Sequence, residues 1–585
     1  MTSLAKKLSS ITGAAFAAGG LPPELGRVTV SDRGDLAQFQ CNGAMAAAKQ
    51  AKKNPRAVAE DVVAKLKERP EFVKIDIGGP GFINLNVTDD YLGAHLEEVA
   101  ADKRLGIVAI PKADTMVLDY GGPNIAKPMH VGHLRAAIIG DSLRRVAHFA
   151  GYKTLGDVHM GDWGTHMGMI ISEYIKTGRQ DFVMQTDLAS DAAVAALMDD
   201  LSDMYPRVAA ACKEDEARKA LALEATVKIQ NKDPEHYRLW DKIRQVSIVG
   251  MRANYAALDV HFDLWKGEAD VHDLIAPMVD DLKKKHFAVE DAGALIVPVK
   301  KNDDTKEIPP LILYKRDGAV MYGTTDLATI VERLNLYSPT KIVYIVDQRQ
   351  HLHFEQVFRA SRMAGIAKPE VELTHAGFGT MNGTDGKPFK TRAGGVMRLE
   401  DLIAMGLEKA QARIAEAELA EGMSDAQKKD IAHKVAIAAI KFADLQNQRQ
   451  ADYVFDLDRL TSFEGKTGPY LLYQAVRIKS LLRKAAEQGL KGGDLSIREA
   501  DRPLALLLTQ LPDAFAATLD HYAPHHLCEY AYRLAQQFSS FYASCHILSE
   551  SDEALRASRL TLCRLTHDTL ETVLSLLGIS VPEKM

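Results

Sequence analysis

The sequence predicts an α/β protein in which a parallel-sheet nucleotide-binding domain is preceded by an α/β unit and followed by an all-α helical domain. Three observations predict it. Between about residues 113 and 400, apolar strand-like runs alternate with amphipathic helices, the pattern of βαβ units and a parallel sheet. The run TMVLDYG (115–121) leads through PNIAKPMHVGH (123–133) straight into LRAAIIGDSLRRVAHF. A strand, a glycine turn and a helix N-terminus form the place where such sheets hold phosphate. Beyond about residue 400 the strand-like runs stop and apolar residues recur at steps of three and four.

A chain of 585 residues is too long for one core. We place domains at 1–112, 113–404 and 405–585, with Pro111 and its charged neighbours marking the first boundary. In the first, Leu4, Leu8, Ile11 and Phe16 make a helical face, and residues 36–53 and 55–68 read as helices, the second with Pro55 in its first turn. Residues 73–79 and 82–88 alternate as strands around a turn at Gly79, Pro80 and Gly81. The centre opens with strand 115–121, helix 134–150 and strand 153–160, then runs mainly helical from about 165 to 290. Its second half is strand 341–347, helix 353–365 and strand 371–381, so an insertion splits the nucleotide-binding fold. In the last helical domain, Leu527, Tyr530, Leu534, Phe538, Phe541 and Cys545 form one core stripe.

Composition excludes several classes. With 46% hydrophobic residues and 26% charged ones, and no apolar run near the roughly 18–20 residues that span a bilayer, no membrane partner is expected. Lys6 and Lys7 precede only a weakly apolar stretch, which is no secretory signal, so the chain is expected in the cytoplasm. Five scattered cysteines without Cys-x-x-Cys argue against a protein-bound zinc or a disulfide framework, and fit a reducing compartment. A net charge of −6 leaves nucleic-acid binding to local basic faces.

His130, Gly132 and His133 carry the first chemistry. A His-x-x-His pair is half of a metal site, but no Glu follows it in zincin fashion and no Cys is near. Imidazoles at a phosphate turn instead donate hydrogen bonds to charge growing on phosphate oxygens, which points to nucleotidyl transfer from ATP. A second segment, GTMNGTDGKPFKTRAGG (379–395), follows the last strand of the second half. Its glycines make it mobile and Lys387, Lys390 and Arg392 make it cationic, suited to closing over those phosphates.

That pairing resembles the class I aminoacyl-tRNA synthetases, with their HIGH and KMSKS motifs. Within the class, the chain is similar to the arginyl enzymes through GDLAQFQCNGAM (34–45), GFINLNV (81–87), PNIAKPMHVGH, GDWGTHMG (161–168), FDLWKGE (262–268), YGTTDLA (322–328), KPFKTRAGG (387–395) and LLGISVPEKM (576–585), in family order. The resemblance implies an N-terminal additive domain at the tRNA corner, a Rossmann-like catalytic domain and a helical-bundle anticodon-binding domain. It implies ligation of L-arginine to tRNA(Arg) through an arginyl-adenylate, with ATP carrying Mg2+, and a monomer is expected.

By the same resemblance, His130, Gly132 and His133 serve ATP. Residues 388–392 lack lysine at both usual KMSKS positions, Thr391 standing at the second; Lys127, just upstream of the first motif, is implied to compensate, with Lys387, Lys390 and Arg392 sharing the rest. Glu268 and Asp326 are implied to meet the guanidinium with Tyr322 shaping the pocket, and Asn124, His130 and Gln350 to line the α-amino and carboxylate end, with Trp163 as a further contact. Gly267-Glu268-Ala269 departs from the family's Gly-Glu-Ser. For tRNA, Tyr470, Tyr473 and Arg477 are candidates at the anticodon and Gln38, Phe39 and Asn42 at the corner.

Two rivals remain. A class I enzyme for another amino acid would bring zinc-binding cysteines or a large editing insertion, both missing here. A non-catalytic tRNA-binding relative need not keep Lys127, His130, His133, Tyr322 and Asp326 together.

Overall fold

The computed structural model describes residues 3–111, 114–316, 318–387, 397–419 and 422–585, which form two compact units. One unit holds residues 1–109, 463–575 and 580–585; the other holds 110–462 with 576–579.

In the first unit, the helix Leu4–Ala17 starts at Ser3, whose side chain accepts from the Lys6 amide, and buries Leu4, Leu8 and Phe16. A four-stranded antiparallel sheet follows in the order Val28–Val30, Phe39–Cys41, Phe82–Val87, Phe72–Gly78. The helix expected over 36–53 is corrected here. Phe39 and Cys41 alternate inward as a strand paired with Leu85 and Ile83, and the helix spans only Gly43–Ala51. Cross-strand pairing overrides the helix preference of the alanines that follow. The C-terminal helices include Gly468–Glu487, His525–Ser544 and Glu553–Leu576, and every member of the stripe from Leu527 to Cys545 is buried. No described helix of the chain is long and apolar enough to cross a membrane, and all five cysteines are buried and unpaired with one another.

The second unit is built on five parallel strands. In chain order these are β1 (Thr115–Tyr120), β2 (Lys153–Met160), β3 (Leu264–Gly267), β4 (Lys341–Ile345) and β5 (Glu372–His375), and their spatial order is β5-β4-β1-β2-β3. The helices that matter for the site are α1 (Leu134–Ala150), α2 (Tyr322–Tyr337) and α3 (His351–Met363). Strand order reverses between β1 and β4, and ligands of doubly wound sheets bind beyond the carboxyl ends of the strands at that reversal.

The stretch 165–290 is mainly helical as expected, with β3 lying within it as the outer edge of the sheet. One expectation for this unit is corrected. The strand expected over 371–381 ends at His375, and the separate pair Met381–Asn382 runs parallel to Tyr453–Val454. The chain also forms a three-stranded antiparallel sheet from Val289–Asp291, Ala294–Val297 and Leu311–Tyr314 that covers part of the core beside α2. Helices Leu399–Glu416 and Asp425–Leu445 belong to the parallel-sheet unit.

Consecutive residues near the end of α2 tie it to three strands. Glu332 accepts from Lys266 of β3 at 2.9 Å. Arg333 reaches Asp119 of β1 at 2.5 Å and Asp157 of β2 at 2.6 Å, with its guanidinium 5.3 Å from the Tyr344 ring of β4. Arg333 is 1% exposed. Removing one partner of a buried ion pair leaves the others charged and uncompensated. Arg333→Leu is therefore expected to lower unfolding stability by about 3–5 kcal/mol in urea titrations, and a loss below about 1 kcal/mol would show that the two carboxylates do not depend on it.

Candidate active site

Beyond β1, Gly121 and Gly122 take positive φ and turn the chain across the end of β2, where Asn124 bridges Gly161. A Cβ at Gly161 would sit 2.1 Å from Asn124 Oδ1, so glycine is what lets the exposed Asn124 amide lie there. Ala126 holds the left-handed region at φ 59, its amide donating to Ser247 Oγ at 3.0 Å, and this turns Lys127 toward the motif. A non-glycine residue kept at positive φ marks a place where surrounding bonds outweigh local preference.

The motif itself is a single 3-10 turn, Val131–His133, running into α1. The Gly132 amide donates to His130 Nδ1 and the His130 amide donates to His133 Nδ1, both at 3.1 Å. An Nδ1 that accepts a backbone N–H leaves the neutral ring's proton on Nε2, so both rings offer an Nε2–H donor. The rings lie 4.0 Å apart. Burial, and then the Lys127 charge, holds His130 below the ordinary imidazole value; burial, then His130, pushes His133 down to about 3. Both are neutral donors at neutral pH. Glycine at 132 also has a local reason, since a Cβ there would strike the His130 ring at 2.7 Å.

The segment after the cationic loop is bound to this turn. The Val131 amide donates to Met397 O at 3.1 Å and the Leu399 amide to Met129 O at 3.0 Å, while Arg398 pairs with Asp199 at 2.9 Å. Lys387 is exposed; Lys390 and Arg392 lie outside the described residues.

Carboxylates gather across the crevice. Glu268 stands immediately after β3, and burial, reinforced by Asp162 and Asp326, pushes its carboxyl up to about 7. The turn that carries it is braced by Asp162, whose side chain accepts from the Ala269 amide and from Arg244 Nε, both at 2.9 Å. Asp326 lies one helical turn after Tyr322 at the start of α2, and its Oδ2 lies 2.5 Å from His353 Nε2. Burial opposes protonation of His353, but the bond to Asp326 and its charge outweigh it and the imidazole's pKa is raised. Burial, then Glu268 and Tyr205, raise the Tyr322 phenol. Gln350 is exposed in the 3-10 turn Gln348–Gln350 that follows β4. The Trp163 indole is packed on Trp240 and His272 and is 7% exposed, so its ring serves as a wall.

The structure thus brings Lys127 beside His130 and His133 after β1, and Glu268 after β3 beside Trp163, Asp326 and Tyr322, while Asn124 bridges the end of β2. Sequence reasoning missed Asp162, His353 and Tyr205. Asp162 stands inside the GDWGTHMG segment and only its letters were read; His353 has no local signal, being 27 residues from its carboxylate. Asp119, Asp157 and His159 are the one described group close enough to hold a metal ion, but both carboxylates already accept from Arg333.

In the first unit, Asn42 is exposed, Gln38 Oε1 accepts from the Val87 amide, and Phe39 is 2% exposed. The expectation of a tRNA contact at Phe39 is corrected: its ring is core. On helix Gly468–Glu487, Tyr473 is exposed, Tyr470 meets Tyr532 edge to face at 5.9 Å, and the Arg477 guanidinium lies 4.1 Å from the Tyr542 ring.

Residues 95–457 match the family model described as tRNA synthetases class I (R), catalytic domain. Residues 471–585 match the DALR anticodon binding domain, and 2–87 the arginyl tRNA synthetase N terminal domain. The arginine–tRNA ligase of Hyphomonas neptunium is 49% identical with 100% of both chains covered, and that of Maricaulis maris 46% with the same coverage. Among solved structures, the arginyl-tRNA synthetase of Plasmodium falciparum gives a TM-score of 0.83 at 26% identity, covering 100% of each chain. That of Thermus thermophilus gives 0.81 at 22%, a likeness of fold. The chain belongs to the arginyl-tRNA synthetase family of class I aminoacyl-tRNA synthetases.

Proposed function

We propose that the protein ligates L-arginine to tRNA(Arg): the arginine carboxylate attacks the α-phosphorus of ATP, pyrophosphate leaves, and the arginyl group passes from AMP to the terminal adenosine of tRNA. The observation that carries this reading is the polarity of the crevice, with neutral imidazole donors and Lys127 at one end and Glu268 with Asp326 at the other, in a chain of this family.

In this reading the protein contributes positioning and charge stabilisation. His130 and His133 give their Nε2–H to phosphate oxygens as charge grows there, and the Lys127 ammonium stands in for the lysines missing from residues 388–392. Glu268 and Asp326 take the guanidinium, whose planar fork of donors matches carboxylates as an ammonium does not. Lysine would leave their oxygens unpaired, and such a site rejects a wrong substrate by about 10⁴–10⁵. Asn124 and Gln350 take the α-amino and carboxylate end. Mg2+ comes with ATP, and the enzyme works in the cytoplasm as a monomer; buried cysteines without disulfides fit a reducing compartment.

The labour divides along the chain: the N-terminal residues at the tRNA corner through Asn42 and Gln38, the parallel-sheet unit for activation, and the C-terminal helices from Gly468 onward at the anticodon. On that last part, Tyr470, Tyr473 and Arg477 present ring faces and a guanidinium, the groups on which unstacked bases are held.

Charging of total tRNA with each of the twenty amino acids tests the reading, with arginine accepted and lysine refused; acceptance of lysine, or of none, overturns it. His133→Ala is expected to slow arginine-dependent pyrophosphate exchange by about 10²–10³ with the fold intact. Lys127→Ala is expected to slow it more than Lys390→Ala, and the reverse order would remove Lys127 from its role.

A pH dependence follows from Glu268. Its carboxyl is raised to about 7, so it becomes neutral and loses its pull on the guanidinium as pH falls through that value. The KM for arginine is expected to rise from pH 8 to pH 6 while the KM for ATP changes far less. Glu268→Gln should have a high, nearly pH-independent KM; a wild-type KM that is flat with pH would place the ionisable group elsewhere.

A further inference from the structure

Helix Asp191–Glu214 belongs to the insertion between the two halves of the sheet. Asp191, Val194 and Met198 on one of its faces look across a groove of about 310 Å3 at Lys127 and Met129. Near the middle of the helix, the Tyr205 ring lies 4.1 Å from Lys127 Nζ. Pro206 follows directly and removes the helix bond to the Ser202 carbonyl, a break that helix interiors avoid unless something else fixes the turn.

A lysine ammonium sits on a flexible four-carbon stem with no plane of its own, so it needs a partner to hold one position. A tyrosine ring offers the negative face of its quadrupole to such a cation. The ammonium is held where it acts on the motif, since its charge lowers the proton affinity of both His130 and His166, second to burial in each case. Tyr205 also acts on Tyr322 at the start of α2. The insertion thus places one ring between the phosphate-facing lysine and the amino-acid pocket.

We propose that Tyr205 is a positioning residue for the activation step: its ring face holds the Lys127 ammonium beside His130, so that the charge stands at the phosphate site before ATP arrives. This rests on the reading of Lys127 as the cation that serves ATP.

The test is arginine-dependent ATP–pyrophosphate exchange, with tRNA present, in Tyr205→Leu, Tyr205→Phe, Lys127→Ala and the Leu–Ala double variant. Tyr205→Leu is expected to lower kcat by between about twofold and thirtyfold, the range of a ring–cation contact, with the KM for arginine unchanged. Tyr205→Phe keeps the ring and should keep the rate, and in the Lys127→Ala background Tyr205→Leu should cost nothing further. A polyfluorinated phenylalanine at 205, which weakens the ring's negative face without changing its shape, should reproduce the loss even where leucine disturbs folding. An unchanged kcat in Tyr205→Leu, a loss in Tyr205→Phe as large as in Tyr205→Leu, or the same loss with and without Lys127 overturns the proposal. If Lys127→Ala alone matches wild type, the reading of Lys127 has failed and the proposal goes with it, whereas a damaged Lys127→Ala beside an intact Tyr205→Leu overturns the proposal alone.

Discussion

The site depends on the buried guanidinium of Arg333. Asp119 and Asp157 stand on neighbouring parallel strands with their carboxylates turned to the same place. Two such charges in a poorly solvated interior repel strongly unless a cation lies between them. Arg333 supplies it from α2, and Glu332 beside it takes Lys266 from β3. One end of α2 is thereby pinned to β1, β2 and β3 together. Its other end begins with Tyr322 and, one turn later, Asp326. The residues read as the amino-acid pocket are held by a rigid helix whose position relative to the ends of β1 and β2 is set by charge, and not by the loop that precedes it.

The two ends of the crevice solve opposite electrostatic problems with similar means. At the end read as the phosphate site, burial keeps His130 and His133 neutral, so each presents a fixed N–H without the desolvation cost of a charged ring. At the end read as the guanidinium pocket, burial and neighbouring carboxylates raise the proton affinity of Glu268, which has no ion-pair partner among the described residues. A group held in that state gains most from a ligand that brings the missing charge, which makes affinity and selectivity two aspects of one strain. Asp326 differs because it already has His353 as a hydrogen-bonded partner.

How much of this was legible in the sequence follows from the range of each interaction. The strands ending at Tyr120, Met160 and Ile345 and the helix from Leu134 are dense local patterns, and the structure places them within a few residues of the expected bounds. Leu264–Gly267 was hidden because four residues among long helices carry no period of their own, although they position Glu268. Phe39–Cys41 was hidden because alanines downstream favour a helix and only pairing with Ile83 and Leu85 makes a strand. The clamp of Arg333 spans 214 residues to Asp119 and 176 to Asp157, a distance at which charge letters carry no information about partners. Of the site, the motif letters located the residues, but the tautomers of the two imidazoles rest on backbone amides that no letter records.

The two signature segments are also joined more directly than their separation suggests. Arg135, two residues after His133 and 2% exposed, donates to Gly379 O at 2.6 Å, just where the chain leaves the last strand of the second half. Asp444 holds that guanidinium from the other side at 2.9 Å. At the far end, Met397 and Leu399 bond to Val131 and Met129. Gly379 and Met397 are thus both bonded to the turn and first helical residues that carry the imidazoles, so the described ends of the two signature segments meet on one piece of backbone and not only across the crevice.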